Sequence, residues 1–297
     1  MNYWLINCIS AFLLCVLFAG VLIPQILLVA FKRDLFDEPD PRKIHKGAVP
    51  RLGGIAFTPV ICFSIALLLG ISTLVGVDEF SVYMSRNAAT LSFGFCALFT
   101  LYLVGMSDDL VGVRYRAKFF MQIFCAILLI SGGLWIDSLH GVFFIGSLPW
   151  WLGMPLTIIV IVFIVNAVNL IDGIDGLASG LSAAALIIYG TAFFMLDRYL
   201  YAVLSFATLG VLVPFFYYNV FGDVNKRKKI FMGDTGSLTV GLLLSFLSLE
   251  LYLTSASRPT AFEANPFILS FVPLLIPCFD VVRVFLRRIR RHGNPFL

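Results

Sequence analysis

Charged side chains are scarce in this chain: 13% of its 297 residues are Asp, Glu, Lys or Arg, whereas 60% are hydrophobic. Soluble globular domains contain about 25% charged residues, so this composition excludes an ordinary water-soluble fold. Paired C-x-x-C motifs are absent, and all six cysteines lie within or beside apolar runs, as small membrane-buried residues do. Walker loops, Rossmann fingerprints and Ser-His-Asp sets are also absent, which excludes the common soluble nucleotide-binding and hydrolase motifs.

Long apolar runs occur along the whole sequence. Each approaches or exceeds the ~18–20 residues that cross a ~30 Å hydrocarbon layer as a helix. The runs are 3–31, 52–75, 88–106, 119–135, 151–165, 181–196, 200–218, 238–253 and 266–285. Lys32 and Arg33 follow the first run and no positive segment precedes it, so we expect a span there and not a cleavable signal. The sequence predicts an all-α, polytopic transmembrane bundle of about nine spans, with residues 1–297 forming a single integral membrane domain.

Basic residues are concentrated in alternate loops. Of the 21 Lys and Arg residues, all but three lie between runs one and two, three and four, seven and eight, or at the end of the chain from Arg283 onward. The exceptions, Arg86, Arg198 and Arg258, fall in the intervening loops. The positive-inside rule therefore predicts an outside N-terminus and a C-terminus on the cytoplasmic side of an inner membrane.

Two adjacent acids, Asp108 and Asp109, follow the third apolar run. Neighbouring carboxylates repel each other, so at least one should have a raised proton affinity unless a cation lies nearby. This pattern favours a phosphate-activating or metal-associated pair. The alternative is structural, with Ser107 or Asp108 capping the next helix.

A second polar group follows the fifth apolar run in the segment N-A-V-N-L-I-D-G-I-D-G-L. Its amides and carboxylates recur every three residues and form a slowly drifting stripe on a helix: Asn166, Asn169, Asp172 and Asp175. The two glycines after the acids indicate that the helix breaks there. Unpaired acids beside a bilayer are costly and usually functional, and oxygen ligands of this type suit Mg²⁺. An ordinary capping and turn segment is the alternative.

The third group combines a basic run, residues 226–229, with Gly233-Asp234-Thr235-Gly236-Ser237. The glycine-containing turn predicts a helix start whose free backbone N–H groups attract anions. Asp234 is poorly suited to binding phosphate there and better suited to ligating a metal ion. The basic run alone would indicate only a topogenic cluster.

The fourth group is the loop of residues 37–54, which contains His45 and Arg51. Its prolines favour an extended chain, and the pair Gly53-Gly54 would let the backbone approach a ligand closely. A solvated, positively charged inside loop is equally consistent with these residues.

These groups together favour phosphoryl transfer at the membrane surface, in which a divalent cation spans the phosphates and basic groups neutralise charge. One substrate would be a lipid phosphate and the other a water-soluble nucleotide; no nucleic-acid partner is expected. Two alternatives stay open. A Mg²⁺-dependent intramembrane prenyltransferase normally shows widely spaced N/D-x-x-x-D patterns, and a transporter would place its polar residues near the middle of the membrane.

The motifs resemble those of the polyprenyl-phosphate N-acetylhexosamine-1-phosphate transferases, in the family's order and over essentially the whole chain. The shared motifs are the Asp-Asp pair, N-x-x-N-x-x-D-G-x-D-G-L and F-M-G-D-x-G-S. The R-K-x-H-x-x-x-x-P-R-x-G-G loop looks like the branch that uses UDP-N-acetylglucosamine. The resemblance implies transfer of N-acetylhexosamine 1-phosphate from a UDP-sugar to polyprenyl (undecaprenyl) phosphate, with release of UMP, as the first membrane step of cell-surface glycan synthesis.

The resemblance also implies roles for individual residues. Asp108 and Asp109 would activate or orient the lipid phosphate, and Lys118 would neutralise it. Asn169 and Asp234 would hold Mg²⁺, or Mn²⁺ in its place, against the nucleotide diphosphate.

A homodimer is an expected assembly. The UDP-sugar would be bound by a second set of residues. Asp175 would lie beside the uridine. The family continues beyond Pro295-Phe296 into an Asp-Arg and a His-x-His-His cluster, whereas this chain ends at Leu297, so we expect reduced turnover for this form. The substrate-binding residues implied are Asp172, Asp175, His45, Arg51, Gly53 and Gly54.

Overall fold

The computed structural model describes residues 2–33, 35, 49–257 and 265–290. Within these residues the structure is helical and contains no β-strand. The loop 36–48, which includes His45, and the end of the chain from residue 291 lie outside the described residues. The helices are α1 (Asn2–Lys32), α2 (Phe57–Leu74), α3 (Glu79–Arg86), α4 (Ala88–Val111), α5 (Tyr115–Ser131), α6 (Trp150–Ile171), α7 (Leu177–Met195), α8 (Tyr199–Val220), α9 (Gly233–Ser257), α10 (Pro266–Phe271) and α11 (Leu275–Arg290).

Eight segments in the described part of the chain are long and apolar enough to cross a membrane. This confirms the predicted all-α, polytopic fold, and the protein is a multi-span membrane protein. The difference from nine spans lies in run 119–135, which forms the 17-residue helix α5. Gly132 caps this helix and Gly133 follows at φ 94°, so the helix stops before Trp135. At 1.5 Å per residue α5 is about 26 Å long. It runs antiparallel to α4, because the hydroxyl of Thr90 at the start of α4 donates to the carbonyl oxygen of Gly132 at 2.7 Å.

Helix α9 is the central helix of the bundle. Of the residues in its most apolar window 94% are buried, compared with 22% for α1. Small residues allow close packing against it, a common feature of membrane helix pairs. A Cβ atom on Gly105 of α4 would lie 2.6 Å from the Cα of Thr235, and one on Gly241 would lie 2.8 Å from the Cα of Val165 in α6. The end of α4 and the second half of α6 are therefore in close backbone contact with α9.

Helix α5 lies between α4 and α6 and is joined to α6 by a polar contact. The Nδ2 atom of Asn166 donates to Oε1 of Gln122 at 2.6 Å, and Gln122 is buried. Asn166, the first residue of the predicted polar stripe, thus connects two helices, and only the later residues of the stripe reach the end of the bundle. This connection places the first turn of α5 beside the end of α6.

Candidate active site

Polar side chains from four helices meet at one end of the bundle. Asp108 lies in the last turn of α4, Lys118 in the first turn of α5, Asn169 in the last turn of α6 and Asp234 in the first turn of α9. Hydrogen bonds connect all four side chains. The structure therefore brings together residues that are up to 126 positions apart in the sequence and that the motifs singled out.

Lys118 is the cation at the centre of this group. Its Nζ atom lies 3.0 Å from Oδ2 of Asp108 and 2.7 Å from Oδ2 of Asp234. Burial lowers the pKa of Lys118, but hydrogen bonds to and charges of Asp234 and Asp108 outweigh this effect, and the pKa is raised above its usual value. Lys118 is therefore protonated at neutral pH and bridges carboxylates from two helices.

Asp108 and Asp109 have different partners. Asp108 accepts the N–H of Val113 at 2.6 Å and the ammonium group of Lys118. Asp109 accepts the N–H groups of Asp234 and Thr235, both at 2.8 Å. The N–H groups at the start of α9 were predicted to attract an anion, and the anion that they bind here is the carboxylate of Asp109 from α4.

Asn169 faces α9 and contacts its first turn. The Nδ2 atom donates to Oδ1 of Asp234 at 3.1 Å and to the hydroxyl of Ser237 at 2.8 Å. The hydroxyl of Ser237 in turn donates to the carbonyl oxygen of Gly233 at 2.9 Å. Ser237 belongs to the Gly-Asp-Thr-Gly-Ser motif, and no role was predicted for it. Its hydroxyl accepts a hydrogen bond from Asn169 and so holds the amide in place.

Asp172 caps the end of α6 beside these residues. Burial raises the pKa of Asp172 well above its usual range, and the charge of Asp234 acts in the same direction. A backbone hydrogen bond from Gly233 and the charge of Arg51 oppose the shift. Arg51 is itself exposed at the rim of the site. Asp172 and Arg51 thus both lie close to the acidic cluster, as the motifs predicted.

Asp175 lies farther along the turn after α6 and is paired with Lys229. The Nζ atom of Lys229 is 2.5 Å from Oδ2 of Asp175, and the lysine side chain is only 10% exposed. Asn219, near the end of α8, holds the same turn: its Oδ1 accepts the N–H of Gly176 at 2.7 Å, and its Nδ2 donates to the carbonyl oxygen of Ile230 at 2.9 Å. Neither Asn219 nor the burial of Lys229 was predicted from the sequence, although a polar Asn at the end of an apolar run is a usable signal.

Gly53 and Gly54 pack against the chain itself. Their N–H groups donate to the carbonyl oxygens of Phe231 at 3.0 Å and Met232 at 2.9 Å. A Cβ atom on Gly54 would lie 2.0 Å from the backbone nitrogen of Gly236. The missing side chains of this glycine pair allow the loop to contact the start of α9, and both residues are buried. The close approach of their backbone to a ligand stays a prediction.

The donor set at this site is suited to a hard cation that keeps other ligands. Asp108, Asp172 and Asp234 present carboxylate oxygens, and Asn169 has an amide oxygen. The described residues contain no group of three or more His, Cys, Asp or Glu side chains arranged to enclose a metal ion. Mg²⁺ does not require such a cage, because it is commonly held by one or two carboxylates together with waters and substrate phosphates. These residues therefore fit Mg²⁺ better than a zinc or calcium site.

Acidic side chains bridged by a lysine at one end of a multi-span helical bundle are costly to keep beside a membrane and indicate a functional site. The chain belongs to glycosyl transferase family 4, whose sequence model matches residues 91–252. The matched region includes both acids at the end of α4, Lys118, Asn169 and Asp234. This match confirms the family resemblance read from the motifs.

Individual relatives cover most of the chain. This chain is 31% identical over 286 residues to the probable undecaprenyl-phosphate N-acetylglucosaminyl 1-phosphate transferase of Bacillus subtilis (strain 168). The aligned region covers 96% of this chain and 73% of the relative. The chain is 27% identical over 274 residues to the undecaprenyl-phosphate alpha-N-acetylglucosaminyl 1-phosphate transferase of Yersinia pestis, covering 90% and 68%. The Escherichia coli (strain K12) protein of the same name is 30% identical over 272 residues, covering 90% and 67%.

Proposed function

We propose that this protein transfers N-acetylglucosamine 1-phosphate from UDP-N-acetylglucosamine to undecaprenyl phosphate. An oxygen of the lipid phosphate attacks the sugar-linked phosphorus of the nucleotide sugar. A new P–O–P bond forms, the P–O bond to the nucleotide phosphate breaks, and UMP leaves. The observation that carries the proposal is the Lys118 bridge between Asp108 and Asp234, because it places one cation and two carboxylates where a membrane lipid and a soluble nucleotide can meet.

The lipid phosphate is assigned to the Lys118 side of the site. A phosphate monoester loses its second proton near pH 6, so at neutral pH it is already nucleophilic and needs orientation more than a strong base. The protonated Lys118 would attract and partly neutralise this dianion. Asp108 is fixed by hydrogen bonds from the N–H of Val113 and from Lys118. It would orient the lysine and would not take part in proton transfer.

The nucleotide diphosphate is assigned to the Asp234 side, with Mg²⁺ held by Asp234 and Asn169; Mn²⁺ would suit the same oxygens. When bound, the cation would stabilise negative charge on the leaving phosphate. Asn169 now donates its NH₂ group to Asp234, so ligation requires its amide to turn and present the carbonyl oxygen. The excess of acids over cations around Asp234 supports a divalent ion at this position.

The remainder of the UDP-sugar is assigned to the rim of the site. The resemblance assigns Asp175 to the uridine, and its ion pair with Lys229 would fix the position of that carboxylate. Asp172 and Arg51 lie next to the acidic cluster and can contact the sugar phosphate. His45 is proposed for the same region on the resemblance alone.

The site is proposed to face the cytoplasm, from the inner membrane, with the N-terminus outside. Among the described residues, the basic side chains at the end of α1, just before α2, and in the loops after α4 and α8 are at the end of the bundle that contains the site. The positive-inside rule then orients that end toward the cytoplasm, where nucleotide sugars are made available. The polyprenyl chain would remain in the bilayer beside the helices.

A single assay tests this proposal against the alternatives. The protein is incubated with radiolabelled UDP-N-acetylglucosamine, a short polyprenyl phosphate and Mg²⁺, with omission of the lipid as the control. We expect label in the lipid fraction and an equal amount of UMP. Pyrophosphate release from a prenyl diphosphate would favour the prenyltransferase, and uptake of unaltered nucleotide sugar into vesicles would favour the transporter. No label transfer from any UDP-N-acetylhexosamine would reject the proposal.

A further inference from the structure

The first turn of α9 has no capping residue of its own. The residue before it is Met232, whose side chain has no oxygen to accept the exposed N–H groups of a helix start. The carboxylate of Asp109 accepts them from a different helix. Its Oδ1 atom accepts the N–H of Asp234 at 2.8 Å, and its Oδ2 atom accepts both the N–H at 2.8 Å and the hydroxyl at 2.5 Å of Thr235.

The packing around this contact leaves no room for a substrate between Asp109 and α9. A Cβ atom on Gly233 would lie 2.7 Å from Oδ2 of Asp109 and 2.0 Å from the carbonyl oxygen of Arg51. Gly233 also has φ +74°, a conformation that favours glycine. One turn earlier on α4, a Cβ atom on Gly105 would lie 2.6 Å from the Cα of Thr235. The Asp109 carboxylate is therefore enclosed by the backbone contact of α4 with α9 at Gly105 and by the close packing of Gly233 against Arg51.

We propose that Asp109 is a positioning residue that fixes the first turn of α9, and that it does not bind the lipid phosphate. A carboxylate at a helix N-terminus is stabilised by the helix dipole as well as by its hydrogen bonds. By holding the N–H of Asp234, Asp109 sets the position of the Asp234 carboxylate relative to Lys118 and Asn169. This inference rests on the proposed function in one respect: it takes Asp234 to be the metal ligand.

Replacement of Asp109 would then affect the reaction differently from replacement of Asp108. Asp109→Asn keeps one acceptor but turns an NH₂ group toward an N–H donor of α9, so one buried N–H loses its partner. The first turn should shift, and the Asp234 carboxylate with it. Groups that orient a metal ligand typically contribute 10–100-fold to metal affinity or activity. We expect Asp109→Asn to raise the Mg²⁺ concentration for half-maximal UMP release by about 10-fold or more, with the KM for polyprenyl phosphate changed by less than about 3-fold.

Thr235 provides a milder variant that leaves Asp109 in place. Thr235→Val removes only the hydroxyl donor to Oδ2 of Asp109, and Thr235→Ser restores it. Because Thr235→Val and Asp109→Asn disrupt one contact, their effects should not add in the double variant. The Mg²⁺ requirement should rise with Thr235→Val and return most of the way with Thr235→Ser.

The experiment measures UMP release against Mg²⁺ and against polyprenyl phosphate for the parent, both single variants, the double variant and Thr235→Ser. The melting temperature of each purified protein is measured without substrate. Non-additive melting temperatures and a raised Mg²⁺ requirement support the inference. A raised KM for polyprenyl phosphate at an unchanged Mg²⁺ requirement, or fully additive effects, would overturn it. If the parent releases no UMP, the proposed function fails, and additivity of the melting temperatures still decides the contact between Asp109 and Thr235.

Discussion

The Nζ atom of Lys118 lies 2.7 Å from Oδ2 of Asp234, although the two residues are 116 positions apart in the chain. This contact joins the start of α5 to the start of α9, and a second contact from the same atom reaches Asp108 at the end of α4. One ammonium group thus holds three helix ends together. In the proposed reaction it is the group that would bind the incoming lipid phosphate.

Lys118→Met should reduce UMP release on the order of 10²-fold, because it removes both the bridge between Asp108 and Asp234 and the charge that would neutralise the lipid phosphate. The matched control is Lys226→Met, whose side chain is 74% exposed and lies 4.0 Å from Asp223. The control should retain near-parental rates. Equal rates for the two variants would show that Lys118 has no part in the reaction.

Lys229→Met should destabilise the protein by about 2 kcal/mol, because it leaves the largely buried Asp175 carboxylate without its ammonium partner. We expect the melting temperature in detergent to fall by several degrees. The double variant Lys229→Met/Asp175→Leu should be less destabilised than the single variant, since it removes both charges of the buried pair. A double variant that melts lower than both single variants would contradict this account of the pair.

Gly54→Ala should lower both the melting temperature and the activity. Its Cβ atom would lie 2.0 Å from the backbone nitrogen of Gly236, so the loop or the start of α9 must move. Gly70→Ala in α2 is the matched control, because its Cβ atom would have nothing within 4 Å. That helical substitution should be neutral or stabilising by up to about 1 kcal/mol. Similar melting temperatures for the two variants would argue against the close packing of Gly54.

The orientation of the bundle can be tested with an impermeant thiol reagent. A cysteine replacing the exposed Lys228, at the end that contains the site, should react only after the inner membrane is permeabilised. A cysteine replacing the exposed Glu79, at the opposite end, should react from outside, and the parent protein gives the background from its native cysteines. Arg258, another predicted outside position, lies outside the described residues. Reaction of the Lys228→Cys variant before permeabilisation would reverse the predicted topology.

The helices could be predicted from sequence because a chain in hydrocarbon must satisfy its backbone hydrogen bonds within each span. The first apolar run, 3–31, agrees with α1 to within one residue at each end. The run 119–135 was too long because apolar character continues to Trp135, whereas Gly132 and Gly133 end the helix. Local backbone preference, and not hydropathy, decided that boundary.

The residue types of the site could also be predicted, but the contacts that each residue makes could not. Asp108 and Asp109 are adjacent in sequence, and which one meets Lys118 and which one meets α9 depends on how α4 packs. Lys229 is one of four successive basic residues, and only the path of the loop after α8 buries it against Asp175. The partners of Gly54 are far along the chain, so no local pattern could identify them.

The most direct test of the proposed chemistry is Asp234→Asn, assayed for UMP release across a Mg²⁺ titration. Asn keeps the size of the side chain and one oxygen, and the cap of α9 is unaffected because Asp109 supplies it. We expect turnover to fall on the order of 10²-fold or more, with the largest deficit at low Mg²⁺, because a charged ligand is lost. Asp78→Asn changes an exposed residue at the other end of the bundle and should leave the rate of UMP release unchanged. Near-parental turnover of Asp234→Asn at low Mg²⁺ would contradict the metal role and with it the central claim.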